Sequence, residues 1–427
     1  MHDIGLQPRE RAILVGVLRK GANPETTADH LSELTLLLDT AGADVADVLT
    51  QERERPDLST AIGKGKVEEL KALIEEHQVQ MVVFDDELSP AQVRNLEKAL
   101  EIKVLDRTGV ILDIFAAHAH SAEARTQVEL AQLNYLLPRL TRMWTHLSKQ
   151  FGGVGTKGPG ETQIETDRRM FRGRMQRLQE KLKEIDIQRV VQRKGREGLP
   201  RFALVGYTNA GKSSMMRALT ASDVFIEDRL FATLDTTVRA FEMPSGQKVL
   251  ISDTVGFIRK LPTQLVASFR TTLAETMEAD VLIHVVDITH RSLHDHIKVV
   301  NETIRSLDAH DTPMILVFNK IDALQEPHVM DDLAIEFPGC VFVSAERSLN
   351  IQRLIQQMQD TLEQISVAVH LRIPYDRMQD VSRVYESNEV VQRTDAEENV
   401  LLVVKVPTDK LASFRTRYES YVDIEHS

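Results

Sequence analysis

Hydrophobic positions near the start of the chain fall into short apolar runs separated by amphipathic segments. The apolar runs predict strands over 12–18, 81–84 and 103–105. Apolar residues spaced by three or four positions predict helices over 26–40, 67–77 and 91–100. This alternation favours a parallel sheet covered by helices, so residues 1–120 are predicted to form a small N-terminal α/β domain.

Residues 121–197 carry a different pattern, in which two long helical segments flank a glycine-rich stretch. The helices are predicted over 123–144 and 162–191, and Pro138 is a point at which the first can bend. Five of the eleven residues from Phe151 to Glu161 are glycine. Two long helices joined by such a tip predict a helical hairpin.

From residue 198 to residue 363 the pattern returns to strands followed by helices. Near-continuous apolar runs predict strands over 202–205, 249–252, 281–286, 314–318 and 341–343. Such runs are typical of strands buried on both faces of a parallel sheet. Residues 364–427 follow the order βαββα with a further strand at the end, which predicts a small C-terminal α+β domain of ferredoxin-like type. The predicted fold class is therefore multidomain α/β.

Composition is that of an ordinary globular protein, with 42% hydrophobic and 27% charged residues among 427. Cys340 is the single cysteine, which excludes an intramolecular disulfide and a cysteine-based zinc cluster. No apolar run approaches the roughly 18 residues that a membrane span needs, and the run at 12–18 has charges on both flanks. We expect a soluble, cytoplasmic protein, with peripheral membrane association as the alternative.

The charge of the chain is unevenly distributed. The whole chain has a net charge of −12, but residues 121–195 contain fifteen Lys and Arg against eight Asp and Glu. A basic segment in an acidic chain indicates a local anionic partner. The competing interpretation is a solvated hairpin whose charges form their own ion pairs. The glycine-rich tip favours RNA contact, because glycines and Lys157 allow close approach to phosphates.

The segment 206–213 carries the most specific chemical motif. It matches G-x-x-x-x-G-K-[ST], and it lies between a predicted strand and a predicted helix over 214–219, which is the context that this motif requires. Main-chain N–H groups and Lys212 are expected to hold phosphates, and Ser213 to ligate Mg²⁺. The predicted phosphate loop consists of Gly206, Tyr207, Thr208, Asn209, Ala210, Gly211, Lys212 and Ser213.

Three shorter motifs follow at the predicted ends of later strands, where α/β proteins bind ligands. In the first, Asp253 is expected to support Mg²⁺ and the Gly256 N–H to bind the γ-phosphate. In the second, Asp322 can accept hydrogen bonds from the two guanine donors that adenine lacks. The three motifs are Asp253-Thr254-Val255-Gly256, Asn319-Lys320-Ile321-Asp322 and Ser344-Ala345-Glu346. Together they predict a GTPase domain that binds GTP and GDP.

The segment from Phe231 to Thr237 is the candidate first switch, which must supply a threonine hydroxyl to Mg²⁺. On the residues alone Thr233, Thr236 and Thr237 compete for this role. The segment reads Phe231-Ala232-Thr233-Leu234-Asp235-Thr236-Thr237.

The motifs together resemble one family, the HflX GTPases of the Obg-HflX group. The resemblance rests on F-A-T-L-D at 231–235, D-T-V-G-F-I at 253–258 and the glycine-rich tip with its continuation to Arg169. It points to Thr233 as the Mg²⁺ ligand. With Lys212 and Gly256, Thr233 completes the expected catalytic set. Lys320 is expected to pack on the guanine plane, and Ser344 and Ala345 to close the base pocket.

The resemblance also implies partners. It implies binding to the large ribosomal subunit and its rRNA through the 121–197 hairpin and the N-terminal domain. It further implies dissociation or rescue of stalled ribosomes under stress, and ATP binding at the N-terminal region, for which the sequence carries no specific motif. We expect a monomer. The alternatives are a GTPase of RNA modification or membrane-linked regulation, and an RNA-binding regulator that does not turn over GTP.

Two residues of the site modify these expectations. Phe257 follows Gly256, where many GTPases place a water-orienting Gln, so we expect weak intrinsic hydrolysis that a partner stimulates. Asn209 is either a turn residue or a helper that holds K⁺ near the phosphates.

Overall fold

The computed structural model describes residues 9–21, 24–139, 159–193, 199–220, 230–231, 237–260, 277–307, 309 and 311–422. They form two compact units, of which the first runs to Ile185 and also takes in Leu230 and Phe231. The second begins at Asp186. The predicted boundaries at residues 120, 197 and 363 stay predictions.

The first unit contains a parallel four-stranded sheet in the order β2-β1-β3-β4. Its strands are β1 (Glu10–Arg19), β2 (Ala43–Arg53), β3 (Met81–Phe84) and β4 (Lys103–Asp106). Its helices are α1 (Pro24–Ala41), α2 (Lys64–His77), α3 (Pro90–Leu100), α4 (Arg107–His118) and α5 (Ala122–Leu136). A further helix, α6 (Pro159–Arg193), is 35 residues long and continues past Ile185, the last residue of this part of the first unit. The parallel α/β prediction for the N-terminal region is confirmed.

Two elements of this unit escape the hydrophobic pattern. The edge strand β2 has mostly exposed or half-buried residues, so no apolar run marks it. Helix α4 is the opposite case, because eight of the nine residues from Arg107 to Phe115 are buried. A helix buried on nearly all sides has no polar face, and so it has no helical periodicity to detect.

Asp106 joins three elements of the first unit. Its carboxylate is fully buried at the end of β4 and accepts hydrogen bonds from the N–H groups of Leu88 (3.1 Å) and Gly109 (3.0 Å). It also accepts from the Tyr135 hydroxyl at 2.8 Å and from Arg139 Nη2 at 3.0 Å. The guanidinium of Arg139 in turn stacks 3.6 Å from the centre of the Tyr135 ring. The C-terminal end of α5 is thereby fastened to the carboxyl edge of the sheet.

The second unit contains a six-stranded sheet in the order β10-β9-β8-β5-β7-β6. All neighbours pair in parallel except β6 and β7. The strands are β5 (Arg201–Gly206), β6 (Thr237–Glu242), β7 (Lys248–Asp253), β8 (Val281–Asp287), β9 (Met314–Asn319) and β10 (Val341–Phe342). The helices are α7 (Lys212–Thr220), α8 (Leu293–Ser306), α9 (His328–Glu336) and α10 (Ile351–Gln364). The pattern does not predict β6, which is half exposed at the sheet edge.

The chain then forms an antiparallel sheet in the order β11-β13-β12. It comprises β11 (Ser366–Pro374), β12 (Glu389–Asp395) and β13 (Asn399–Pro407), with α11 (Met378–Ser387) and α12 (Leu411–Arg417). This is the ferredoxin-like order that the sequence predicts. In place of a fourth strand, the described residues contain a single antiparallel bridge between Leu371 and Val422. None of the described helices is long and apolar enough to cross a membrane.

We predict that Asp106→Ala lowers the free energy of unfolding of the first unit by about 3–5 kcal/mol, because it removes the counter-charge of the mostly buried Arg139 and leaves two N–H donors without their acceptor. Hydrogen exchange of the α4 and α5 amides in increasing urea would measure the loss. Asp39→Ala is the matched control, since Asp39 forms an exposed ion pair with Arg9. Equal losses in both variants would contradict the assigned role of Asp106.

Candidate nucleotide-binding site

The segment 206–213 lies between β5 and α7, as the motif requires. Gly206 and Gly211 have φ angles of +155° and +91°. A Cβ at Gly206 would lie 2.3 Å from the carbonyl oxygen of Val285, and one at Gly211 would lie 2.3 Å from Asn319 Nδ2. Both positions therefore require glycine for close approach as well as for conformation.

Lys212 is buried under this loop. Its Nζ donates hydrogen bonds to the carbonyl oxygens of Gly206 (3.1 Å) and Tyr207 (2.9 Å). Burial lowers the pKa of Lys212 to about 8, and the nearby charge of Asp253 opposes part of that shift. The lysine thus lies in a dry site where an anion would strongly favour its charged form.

Ser213 and Asp253 meet where α7 begins and β7 ends. The Ser213 hydroxyl donates to Asp253 Oδ2 at 2.7 Å, and Asp253 is almost fully buried. A hydroxyl and a carboxylate are hard oxygen ligands of the kind that Mg²⁺ prefers, so this pair fits a magnesium site. Thr254 instead turns its hydroxyl toward the Leu204 carbonyl oxygen (2.7 Å), and Val255 is buried beside it.

Gly256 and Phe257 lie against the phosphate loop. The Phe257 N–H donates to the Gly206 carbonyl at 3.0 Å, and the Thr208 N–H donates to the Phe257 carbonyl at 2.8 Å. The Phe257 side chain is buried. The residue after Gly256 therefore presents main chain to the loop and carries no group that could orient water.

Asn319 connects two loops at the end of β9. Its buried amide donates to the Ala210 carbonyl at 3.0 Å and accepts from the Ala345 N–H at 3.0 Å. The predicted phosphate loop and the predicted base loop are thereby joined through one side chain. Both polar atoms of that side chain are engaged in this link, and its predicted contact with guanine stays a prediction.

The other predicted base-binding residues surround this link. Lys320, with φ of +67°, forms an ion pair with Asp287 at 2.7 Å, and Arg347 approaches the mostly buried Asp322 at 3.5 Å. The buried hydroxyl of Ser344 accepts a hydrogen bond from the Arg347 N–H at 3.1 Å. Ala345 is buried, Ile321 opens a short 3-10 turn, and Glu346 is exposed.

Of the candidate first switch, only the two end residues, Phe231 and Thr237, belong to the part of the chain that the structure describes. Phe231 is buried, and its ring packs edge-on against Phe115 with centroids 4.7 Å apart. Thr237 begins β6 and pairs in register with Asp253. The predicted site residues Ala232, Thr233, Leu234 and Asp235 lie outside the described residues, as do Thr236 and the glycine-rich tip up to residue 158.

His284 is a residue of this region that sequence reasoning missed. It is fully buried in β8 in register with Val205, and neither ring nitrogen has a hydrogen-bond partner among the described residues. Burial, helped by the charge of Lys212, lowers the pKa of His284 to about 3. A histidine inside the apolar run 281–286 was the signal that could have drawn attention to it.

Comparison with known proteins covers nearly all of the chain. Family models match at 28–116 ("GTP-binding GTPase N-terminal"), 118–196 ("GTP-binding GTPase Middle Region") and 201–320 ("50S ribosome-binding GTPase"). The GTPase HflX of Flavobacterium psychrophilum is 46% identical over 86% of this chain and 93% of its own length. That of Escherichia coli K12 is 41% identical over 93% of this chain and 94% of its own length.

The chain belongs to the HflX family of GTPases. It is accordingly a GTP-hydrolysing enzyme, as the sequence predicts. A solved structure described as a complex of SsGBP and GDP is also similar, with 25% identity and a TM-score of 0.45 over 83% of this chain and 99% of that one.

In this HflX chain we predict that His284→Leu raises stability at pH 7, because it removes a buried polar ring that lacks partners. The folded-state pKa of His284 lies below the unfolded value, so between these values the unfolded chain binds a proton that the folded chain does not. The wild type therefore loses stability as pH falls from 6.5 toward 3. The difference in free energy of unfolding between the variant and the wild type should therefore grow by about 2 kcal/mol as pH falls from 7 to 5.

Urea unfolding at both pH values would measure this gain. His294→Leu is the matched control, since His294 lies on the exposed face of α8. A stability difference between wild type and His284→Leu that does not change with pH would contradict the prediction.

Proposed function

We propose that the phosphate loop, Gly206 to Ser213, holds the phosphates of GTP, and that the motifs at the ends of β7, β9 and β10 complete the site. The observation that carries the proposal is the convergence of these motifs at one edge of a parallel sheet, with Asn319 linking two of them. Lys212 exchanges its two carbonyl partners for phosphate oxygens on binding. Burial disfavours the charged form of Lys212, and anionic phosphate oxygens offset that cost better than neutral carbonyl oxygens do.

Ser213, Asp253 and Thr233 are the residues that would hold Mg²⁺. The support is the 2.7 Å contact between Ser213 and Asp253, whose oxygens suit this ion. When bound, Mg²⁺ neutralises charge on the β- and γ-phosphates. A K⁺ ion near Asn209 is part of the same proposal. Asn209 is exposed in the loop with φ of +60°, a conformation that Asn tolerates better than most residues.

In this proposal Asp322 recognises the guanine base by hydrogen bonding. Its carboxylate accepts the N1–H and N2–H₂ donors of guanine, and a base without them would leave it poorly paired. Lys320 packs on the base plane after releasing Asp287, and Ser344 and Ala345 close the pocket.

We predict that Asp322→Asn lowers GTP affinity by about a hundredfold or more and increases affinity for xanthosine triphosphate, whose 2-oxo group can accept from an amide. Competition binding with the two nucleotides would measure the exchange of preference. Asp331→Asn on α9 is the matched control and should leave both affinities unchanged. Unchanged GTP affinity in Asp322→Asn would exclude Asp322 from base recognition.

The buried Phe257 supports slow hydrolysis by the chain alone. Without a side chain that orients water, the attacking water must be positioned by main chain or by a partner. We propose that this partner is the large ribosomal subunit, bound in the cytoplasm through rRNA. The protein would dissociate or rescue stalled ribosomes under stress. The GTP state would set its affinity for the ribosome, and hydrolysis would release both switches and lower that affinity.

Two observations support the ribosome as partner. The family model that matches 201–320 is described as a ribosome-binding GTPase. The 35-residue helix α6 also presents exposed basic side chains, while Arg174 is held by a double hydrogen bond to Glu129 (2.6 and 2.9 Å). The exposed basic residues of α6 are Arg169, Arg172, Arg177, Lys181 and Lys183. Exposed arginines along a helix suit the phosphates of structured RNA.

We predict that purified large subunits stimulate GTP hydrolysis at least tenfold, and that the triple variant R169E/R172E/R177E loses most of this stimulation. The measurement is steady-state hydrolysis with and without subunits, in K⁺ and in Na⁺ buffers. The matched control is K298E/R305E/R353E, which reverses three exposed charges on α8 and α10.

The outcomes separate the alternatives. If large subunits leave the hydrolysis rate of the wild type unchanged, the ribosome is removed from the proposal, and a role in RNA modification or at a membrane is favoured. Hydrolysis near zero even with ribosomes would favour a regulator that only binds nucleotide. Equal hydrolysis rates in the K⁺ and Na⁺ buffers would remove the K⁺ ion near Asn209 from the proposal.

A further inference from the structure

The side chain of Tyr207, the second residue of the phosphate loop, contacts residues outside the loop. Its buried ring stacks on the ring of His296 in α8, with centroids 3.7 Å apart and planes 5° from parallel. A third ring, that of His290, lies 4.2 Å from His296. A loop of this type holds phosphates with its main chain, so phosphate binding by itself does not explain an aromatic side chain at this position.

The hydroxyl of Tyr207 reaches the second switch, which we define as residues 253–260. The Arg259 N–H donates a hydrogen bond to this hydroxyl at 2.9 Å, and Arg259 is itself buried. This hydrogen bond, the two main-chain hydrogen bonds of Phe257 and the hydrogen bond from the Ser213 hydroxyl to Asp253 fasten the switch to the loop. The Tyr207 hydroxyl is the side-chain partner of the main chain of the switch, whereas Ser213 contacts the Asp253 side chain.

The fastened switch crowds the region around Lys212. A Cβ on Gly256 would lie 3.0 Å from Lys212 Nζ and 2.9 Å from Thr208 Cα, so there is no room for a side chain between Gly256 and these two groups. A phosphate oxygen bound by Lys212 and by the Gly256 N–H must lie about 2.9 Å from each donor. A γ-phosphate therefore has to share this crowded region with Gly256, whereas GDP has no phosphate at that position.

We propose that Tyr207 is a positioning residue that holds the second switch in this closed arrangement and so lowers the affinity of the site for GTP relative to GDP. The proposal rests on the phosphate-binding role assigned above to Gly206–Ser213. His296 fixes the plane of the Tyr207 ring, and the hydroxyl then meets the Arg259 N–H. Opening of the switch breaks that hydrogen bond, so its strength adds to the cost of binding GTP and leaves GDP unaffected.

The test compares Tyr207→Phe, His296→Leu and the double variant with wild type. Tyr207→Phe keeps the ring and removes only the hydroxyl. Tyr421→Phe is the matched control, since it removes a hydroxyl that donates to Asp380 at 2.9 Å in the antiparallel β11–β13 region. Fluorescence titration would give the Kd of GDP and of a non-hydrolysable GTP analogue. Hydrogen exchange of the Arg259 amide in nucleotide-free protein would report on the tether itself.

We expect Tyr207→Phe to tighten binding of the GTP analogue about three- to tenfold, the effect of one hydrogen bond, and to change the Kd of GDP less than about twofold. The Arg259 amide should exchange faster in this variant. His296→Leu should act in the same direction, and the double variant should add little, because both residues act through one contact. Tyr421→Phe should leave the ratio of the two affinities unchanged.

Equal changes in the affinities for GDP and the GTP analogue would overturn the proposal, as would unchanged exchange of the Arg259 amide. Wild-type protein that binds neither nucleotide would instead refute the phosphate-binding role of the loop, and the Arg259 exchange would still decide whether the tether exists. His296→Leu carries the same test if Tyr207→Phe does not fold.

Discussion

The side-chain amide of Asn319 is the contact on which the geometry of the candidate site depends. It is buried at the end of β9, donates to the phosphate loop at Ala210 and accepts from Ala345 in the neighbouring loop. A buried amide is costly unless both of its polar ends find partners, and here both do. The absence of a side chain at Gly211 is what lets the amide come so close. Two loops that are more than a hundred residues apart in the chain are thus held in one arrangement.

Around this contact the site is dry and compact. Lys212 is buried against loop carbonyls, Asp253 is buried beside it, and His284 lies beneath them without a polar partner among the described residues. In such surroundings charges interact strongly, and an unpaired charge is unfavourable. The arrangement is suited to an anionic ligand, which would satisfy Lys212 better than two neutral carbonyl oxygens do. The second switch occupies part of the same space through main-chain contacts of Phe257.

The first unit shows the same use of buried polar groups for positioning. Asp106 gathers four donors at the end of β4, and Arg107 next to it pairs with Asp85 at 2.8 Å and with Glu33. These contacts join α1, α4 and α5 to the carboxyl edge of the sheet. Helix α5 is the described part of the first helix of the predicted hairpin, and its C-terminal end is therefore anchored by charge and hydrogen bonding as well as by apolar packing.

Local sequence predicted most of the strands and helices because burial on both faces of a parallel sheet needs continuous apolar runs, as in β3, β5 and β8. It also predicted the phosphate loop, because the glycines at 206 and 211 and the lysine at 212 act through local chain geometry. It missed β2, α4 and β6, whose burial depends on neighbours rather than on their own pattern.

The sequence by itself determined the family and most of the strands and helices, and it predicted which residues form the nucleotide site. Only the tertiary structure decided what several of those residues touch. Asn319 links two loops, Lys320 pairs with Asp287, and Tyr207 reaches Arg259. The partners in these contacts lie 26 to 109 residues apart, so no local pattern of polar and apolar positions could reveal them.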